Sequence, residues 1–404
     1  MSKNFYYIAQ VFTPEPYLKD IDFIQRLKEK GWTPTVITGF PNYPKGVIYE
    51  GYKNSFFSEE YIDGIRVIRV YTYPDHSLSA IRRSLYYFVF AFFAAIAIIK
   101  YGKKESIYLI GQSAPFVILC GWAVKLFKRK STTILDIQDV FPDNIRVSGF
   151  IKSEFILGIL DFVLDNIYYK SFDYFITVSE SFRKIVASKK IDINRILTLY
   201  NWSMVEKNED QQKQDFQFDT IGKNIVYAGN IGVHQGLSKL VPAMNAVALK
   251  NPNVFFHFFG DGTDFEILKK EVGLSNNILL HGRVHSDEIT KYLEASDFLF
   301  LHLIKEPIYE HIIPSKLQAY IEVGKPILGG IMGEARQFVT QYKLGEVFES
   351  ENESEFVTAT LKLCDYNSAE IEDIRLRSKE LYDENFSRKA GVEKLHQFMK
   401  KMIN

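Results

Sequence analysis

The sequence predicts an α/β protein of two domains in tandem, each built on a mainly parallel sheet. Three observations predict it. The chain has 404 residues, too many for one ordinary core and suited to two α/β domains of roughly 150 to 200 residues each. Strand-like apolar runs alternate with helical patterns through both halves, as parallel βαβ units require. The loops that follow those runs carry clustered glycines, prolines and polar residues, and open parallel sheets place their ligands at such strand ends.

In the first half the strand-like runs are Phe5 to Val11, Thr35 to Thr38, Arg66 to Tyr71, Ser106 to Ile110, Thr133 to Ile137 and Tyr174 to Val178. The first begins almost at Met1, so no secretory leader is expected. Asp20-Ile21-Asp22 opens the first helix and not a strand-end loop, which disfavours a metal site of the DxD kind. The longest apolar run, Leu85 to Ile99, is fifteen residues, short of the about 20 that cross a bilayer. Arg82 and Arg83 precede it and Lys100, Lys103 and Lys104 follow, as in a helix resting on a membrane surface; a buried helix of the first domain fits the same pattern. A helix from about Ser84 would carry Tyr86, Tyr87, Phe88, Phe90, Phe92 and Phe93, more than one face readily buries, and Phe92 and Phe93 are expected at the bilayer.

Ser203 to Lys223 is polar and without periodicity, and reads as a linker. The domains are therefore expected at 1–202 and 224–385, with 203–223 between them. The second half places strands at Asn224 to Tyr227, Val254 to Phe259, Ile278 to Leu280, Phe298 to Leu301 and Pro326 to Leu328.

Composition narrows the function. Apolar residues make up 47% and charged residues 24%, which excludes wholesale disorder. The two cysteines, Cys120 and Cys364, offer neither a disulfide framework nor a zinc spacing, and a reducing cytosol suits them. Net charge is zero, but residues 1–202 hold 26 Lys and Arg against 19 Asp and Glu, a balance of +7 that the rest of the chain cancels. That split argues against general nucleic-acid binding and would let the first half face an anionic surface.

The chemistry lies in the loops. Gly229, Asn230, Gly232, Gln235 and Gly236 follow the first strand of the second half in a GxxGxxxG spacing. Such glycines let the backbone approach an anion, although a structural tight turn has the same signature. The spacing is neither the GxGxxG of dinucleotide folds nor a P-loop. Gly260, Asp261 and Gly262 follow the next strand, and Gly282, Arg283 and Val284 the one after. A short helix is then delimited by Ser315, read as its N-cap, and by Gly324 at its end. Lys316 beside that helix N-terminus would suit a diphosphate.

Taken together these segments resemble the donor domain of retaining GT-B glycosyltransferases of family four. The resemblance is carried by Ala228-Gly229-Asn230-Ile231-Gly232-x-x-Gln235-Gly236, Gly260-Asp261-Gly262, Ala295-Ser296-Asp297 and Pro314-Ser315-Lys316-x-Gln318-x-Tyr320 through Gly324-Lys325-Pro326. In the first half it is carried by Thr38-Gly39-Phe40-Pro41-Asn42-Tyr43-Pro44, Asp63-Gly64-Ile65 to Val70, Asp136-Ile137-Gln138-Asp139 through Val140-Phe141-Pro142-Asp143, and Val178-Ser179-Glu180-Ser181. The branch resembled builds bacterial O-antigen and capsule and includes N-acetylfucosamine transferases. It departs from the family pattern at Asn230 and Gln235, where an Arg and a Lys are usual, and at His311 and Ala319, where paired glutamates are usual; Glu310 and Gln318 are the nearest substitutes.

The resemblance implies two facing Rossmann-like domains with a deep cleft between them, and a C-terminal helix, 386–404, packing back on the first domain and capped by Ser387. It implies transfer of a sugar, an N-acetylated amino or deoxyamino sugar, from a nucleotide diphosphate donor to a lipid-linked saccharide. No metal and no cofactor beyond the donor are expected. Donor contacts would come from Gly229, Asn230, Gly232, Gln235, Gly260, Asp261, Arg283, Val284, Ser315 and Gln318, with Lys316 on the leaving diphosphate and Glu310 on the sugar. Glu15, Asn42, Tyr43 and Gln138 would hold the acceptor, and Asp139 would orient its hydroxyl or face the developing positive charge. Asp143 is a weaker candidate. The expected setting is cytoplasmic, peripheral to the inner face of an anionic membrane. A sugar-nucleotide 2-epimerase of the same fold, or an inactive subunit that binds nucleotide sugar, fits the same motifs.

Overall fold

The structure, a computed structural model, describes residues 3–75, 79–139, 153, 158, 162–203 and 216–403. The chain divides into two compact units, Met1–Tyr200 with Gly391–Asn404, and Asn201–Ala390.

Unit 1 holds an eight-stranded sheet in the order β3-β4-β2-β1-β5-β6-β7-β8. The strands are β1 (Asn4–Ala9), β2 (Thr33–Gly39), β3 (Phe57–Ile62), β4 (Ile65–Val70), β5 (Ile107–Gly111), β6 (Thr132–Ile137), β7 (Tyr174–Thr177) and β8 (Ile196–Thr198). All pair in parallel except β3, which runs antiparallel to β4 at the edge. The apolar runs of β1, β5 and β6 are buried along their length, as strands covered on both faces must be. Helix α1 (Ile21–Glu29) starts where Asp20 accepts a hydrogen bond from the Phe23 amide and buries Phe23, Ile24 and Leu27, so Asp20-Ile21-Asp22 is a helix start.

The apolar run becomes α2 (Ala80–Tyr101), 22 residues and not fifteen, because Ser79 caps it and the basic pairs at both ends are helical or adjoin the helix. By length and composition it is long enough to cross a membrane. Its packing argues otherwise: Phe90, Ala91, Ala94, Ala97 and Ile98 are buried within unit 1. Phe93, expected at a bilayer, instead packs on Phe56, Phe57 and Tyr71, with ring centroids 5.7, 6.4 and 5.3 Å away. The following α3 (Ile118–Phe127) packs on α2, and α4 (Glu180–Ser188) begins where Ser179 accepts from the Phe182 amide.

Unit 2 has a six-stranded parallel sheet, β11-β10-β9-β12-β13-β14. Its strands are β9 (Lys223–Ala228), β10 (Val254–Phe259), β11 (Ile278–Gly282), β12 (Phe298–His302), β13 (Ile327–Gly330) and β14 (Gly345–Phe348). Helices α5 (Val241–Lys250), α6 (Phe265–Val272), α7 (Ser286–Ala295), α8 (Ser315–Val323), α9 (Gly333–Gln341), α10 (Glu353–Cys364) and α11 (Ser368–Leu381) surround it. Phe256, Phe258, Phe300, Phe348 and Phe356 form an aromatic centre to the core. Strand order reverses between β9 and β12, the switch point at which doubly wound sheets open a ligand crevice. In unit 1 the reversal falls between β1 and β5.

The last helix, α12 (Arg388–Ile403), begins where Ser387 Oγ accepts from the Ala390 amide. Within unit 1 it meets Trp32, whose indole donates to His396 Nδ1 at 3.0 Å, and Tyr174, which packs on Phe398.

Candidate functional site

In unit 2 the three strand-end loops are laced together by their backbones. The Gly229 amide donates to Phe259 O (2.8 Å), the Ile231 amide to Asp261 O (2.9 Å) and the Gly260 amide to Gly282 O (2.7 Å). Gly229 (φ 132°) and Gly260 (φ 148°) both occupy the left-handed half of backbone space. A Cβ on Gly260 would lie 1.8 Å from Gly229 O, and one on Gly229 would lie 2.5 Å from Lys316 Cε. These backbone angles favour glycine at both places, and at Gly260 the Gly229 carbonyl also fills the space a side chain would take.

Lys316 thus reaches from the first turn of α8 onto the loop after β9. Tyr320, one turn further along α8, fixes that approach: its hydroxyl donates to Phe300 O at 3.1 Å and accepts from the Ala228 amide at 3.2 Å. The ammonium of Lys316 sits 4.9 Å from the centre of the Tyr227 ring, and the Tyr227 hydroxyl donates to Asn230 O at 2.6 Å. Among the described residues Lys316 has no carboxylate partner. Burial lowers its pKa to about 8, since a buried ammonium without a counter-charge loses hydration.

The helix start differs by one residue from expectation. Pro314 is the N-cap and Ser315 the first helical residue, exposed and making no side-chain cap, because the fixed φ of proline (−61° here) sets the entry. Gly324 ends the helix at φ 80° as a left-handed cap. The Gly232 amide, expected to face an anion, already donates to Gln235 Oε1 at 3.0 Å, and Asn230 Nδ2 donates to the same oxygen at 3.1 Å. Asn230 and Gln235 therefore brace each other where cations would have stood. Asp261 is exposed and accepts from the Gly262 amide; Gln318 is buried; Arg283 is exposed and Val284 half-buried just past β11. Glu310 is exposed on a turn, Pro307–Glu310, whose Tyr309 ring packs 6.1 Å from His234.

His302, which the motifs did not single out, holds this loop from below. Its Nδ1 lies 2.6 Å from Gln235 O and its Nε2 accepts from the Glu351 amide at 3.1 Å, so the proton resides on Nδ1. Burial lowers its pKa to about 4, which keeps it neutral. The signal was available: a polar residue ending the apolar run Phe298-Leu299-Phe300-Leu301 beside the switch point.

Unit 1 gathers its candidates differently. Glu15 is buried, and its carboxylate accepts from the Asn42, Tyr43 and Phe12 amides at 2.8, 2.7 and 3.2 Å. It ties the loop after β1 to the loop after β2, with its pKa raised by burial against those hydrogen bonds. It shapes the loops and presents no free oxygen. Asn42 is buried, its Nδ2 donating to Phe40 O, and Tyr43 is 40% exposed. Asp136, at the end of β6, is fully buried in an ion pair with Lys19 and accepts from Gln138 Nε2 at 3.0 Å. Asp139 follows, exposed, and with Asp136 it raises the pKa of the largely buried Tyr17 phenol, after burial itself. Asp143, with Val140, Phe141 and Pro142, lies outside the described residues, as do 204–215 of the expected linker.

Residues 208–374 match the family of glycosyl transferases group 1. Curated relatives agree: WbjE of Pseudomonas aeruginosa, named as a glycosyltransferase, is 24% identical over 245 residues, 59% of this chain and 60% of that one. WcaI of Escherichia coli K12, named for colanic acid biosynthesis glycosyl transfer, is 23% identical over 321 residues, 75% and 76% of the two chains. The chain thus matches less than two thirds of the length of WbjE. Among solved structures, the E. coli trehalose-6-phosphate protein bound with UDP-2-fluoro glucose superposes with TM-score 0.72 at 10% identity, covering 99% of each chain. HepE of Anabaena in complex with UDP gives 0.63 at 12%, covering 98% of this chain and 100% of that one. A TarM variant of S. aureus with UDP gives 0.59 at 12%, covering 100% of both. The fold is that of the GT-B glycosyltransferases. Residues 208–374 thus resemble a group 1 glycosyl transferase domain.

Proposed function

We propose that the chain transfers a sugar from a nucleoside diphosphate to a lipid-linked saccharide in bacterial surface polysaccharide synthesis. The transfer proceeds with retention and without a metal. An N-acetylated amino or deoxyamino sugar is the favoured donor group, by resemblance of the motifs. Uridine diphosphate is the first nucleotide to test, because the solved neighbours are named with UDP or a UDP-sugar.

The observation that carries the reading is Lys316, a half-buried cation without a counter-charge among the described residues, laid on Gly229 at the switch point of the sheet. As the glycosidic bond to the diphosphate breaks, negative charge grows on the departing phosphate oxygens. The Lys316 ammonium and the N-terminal end of the nine-residue α8, which no side chain caps, stand ready for that charge without reorganising. His302, Asn230 and Gln235 hold the loop beneath it in shape. The acceptor belongs to unit 1, where Asp139 would orient its hydroxyl. A lipid-borne acceptor sets the reaction at the cytoplasmic face of the cell membrane.

A thermal-shift series with nucleoside diphosphates and their sugars tests the reading. A ligand at 100 times its dissociation constant should stabilise the protein by about 2.7 kcal/mol. Uridine diphosphate is expected to raise the midpoint and the nucleoside alone to do little. No response to any nucleoside diphosphate would contradict the proposal.

A further inference from the structure

Helix α2 has two faces that cannot both be served by unit 1. Its inner face is core, as Phe90, Ala91, Ala94, Ala97 and Ile98 show. Its outer face carries Leu85, Phe88, Phe92 and Ile99, each at least 40% exposed, at the three- and four-residue steps that line one side of a helix. A soluble domain normally fills such positions with polar residues.

The stripe does not end at the helix. Phe88 stacks on Phe92 and meets Phe116 edge-on at 5.6 Å, which carries the apolar surface onto the start of α3. On α3, Leu126 is 72% and Phe127 51% exposed. The two helices are fastened together: Lys128 Nζ donates to Ile99 O at 2.9 Å, and Cys120 Sγ to Ala91 O. The exposed side chains therefore form one surface on two joined helices, each anchored in the domain core.

Charge says what covers it. Between residues 80 and 130 there are nine Lys and Arg and one acidic residue, Glu105. Lys103 and Lys104 are exposed just past α2, and Lys128, Arg129 and Lys130 follow α3 directly. Large apolar side chains rimmed by cations are complementary to an anionic bilayer: rings enter the acyl boundary while ammonium groups meet the headgroups. Because its inner face is packed against the sheet, α2 lies along such a surface and does not span it.

We propose that the outer faces of α2 and α3 form a docking surface for an anionic lipid bilayer, inserting Phe88, Phe92 and Leu126 with the adjoining lysines at the headgroups. This names the surface behind the membrane setting of the proposed function, and rests on that reading only for its purpose. Docking itself needs neither donor nor acceptor.

Cosedimentation of the full chain with vesicles tests it, one set made of equal parts phosphatidylglycerol and phosphatidylcholine, the other of phosphatidylcholine alone. Binding to the anionic vesicles is expected, at least about tenfold stronger than to the neutral ones and weakened by salt. Phe92→Glu with Leu126→Glu should abolish it. Lys103→Glu with Lys104→Glu, at exposed positions with no packing role, should weaken it about tenfold without any risk to the fold. Uridine diphosphate should raise the melting midpoint of both variants as it does the wild type, so loss of docking and loss of donor binding are read separately. Failure of the wild type to bind anionic vesicles, or equal binding by both variants, would overturn the proposal. So would dimers in sedimentation velocity that Phe92→Glu with Leu126→Glu dissolves, since a second copy would then cover the face.

Discussion

Two lysines sit at the ligand ends of the two sheets, and they are treated in opposite ways. Lys19 of unit 1 is 2% exposed and is neutralised by Asp136, itself fully buried and further held by Gln138. Lys316 of unit 2 is also drawn in from solvent, yet it faces an aromatic ring and a glycine backbone and no carboxylate among the described residues. A buried cation without a partner costs free energy unless an anion arrives, whereas a paired one is already satisfied. Unit 1 has paired this buried lysine internally and offers exposed polar groups such as Asp139. Unit 2 keeps a cation that no described carboxylate answers, the state expected of a receptor for a diphosphate.

The largest effect that would break this contrast is on stability. Lys19→Ala leaves Asp136 charged and alone in the core, and should cost about 3–5 kcal/mol in denaturant unfolding. Replacing both partners, Lys19→Met with Asp136→Leu, should recover most of it, because the pair then vanishes together with its desolvation cost. If Lys19→Ala is as stable as the wild type, the pair is not structural and the contrast dissolves.

Asp139→Asn sharpens the comparison from the other side. It should lower turnover by about ten- to a hundredfold while leaving the dissociation constant of the donor unchanged, as steady-state kinetics and calorimetry would show. An equal loss of donor affinity would move Asp139 out of the acceptor role. Gln138, hydrogen-bonded to Asp136, would then be the next residue to examine.

Most of the sheet was legible because its strands are buried apolar runs, and every run read in the sequence corresponds to a strand. What escaped is the edge. Strand β3 alternates Phe57-Ser58-Glu59-Glu60-Tyr61-Ile62 and is half exposed, so it has no apolar run to find. Its sign was the Asp63-Gly64 pair, both at positive φ, which turns β3 into β4 as a hairpin. Arg66 then forms a bidentate bridge to Glu59 and Arg69 a 2.6 Å bridge to Glu60. Strands β8 and β14 are three and four residues long at their sheet edges, too short for periodicity to register.

The candidate site was legible as a set of loops but not as a set of bonds. Residue type and position pointed to Lys316, Gly229 and Gly260. Nothing in a linear sequence shows that Gln235 takes the Gly232 amide, that Glu15 is consumed by three backbone amides, or that Phe93 turns inward while Phe92 does not. Those outcomes depend on which neighbour the fold brings within 3 Å, and they decide which of the candidate groups can meet a ligand.

The measurement that bears most directly on the account is calorimetric titration with uridine diphosphate from about pH 7.5 to about pH 9. Burial sets the pKa of Lys316 at about 8 in the free protein, and a bound diphosphate must raise it. Above about pH 8 the complex therefore takes up a proton, and wild-type affinity should fall by up to about tenfold per pH unit, with net proton uptake in buffers of different ionisation enthalpy. Lys316→Ala should bind about tenfold or more weakly at the low end and show no such slope, while Lys325→Ala, at the far end of the same helix, should behave as the wild type. Wild-type affinity that is flat across the range, or undiminished binding by Lys316→Ala, would contradict the claim that this cation awaits the diphosphate.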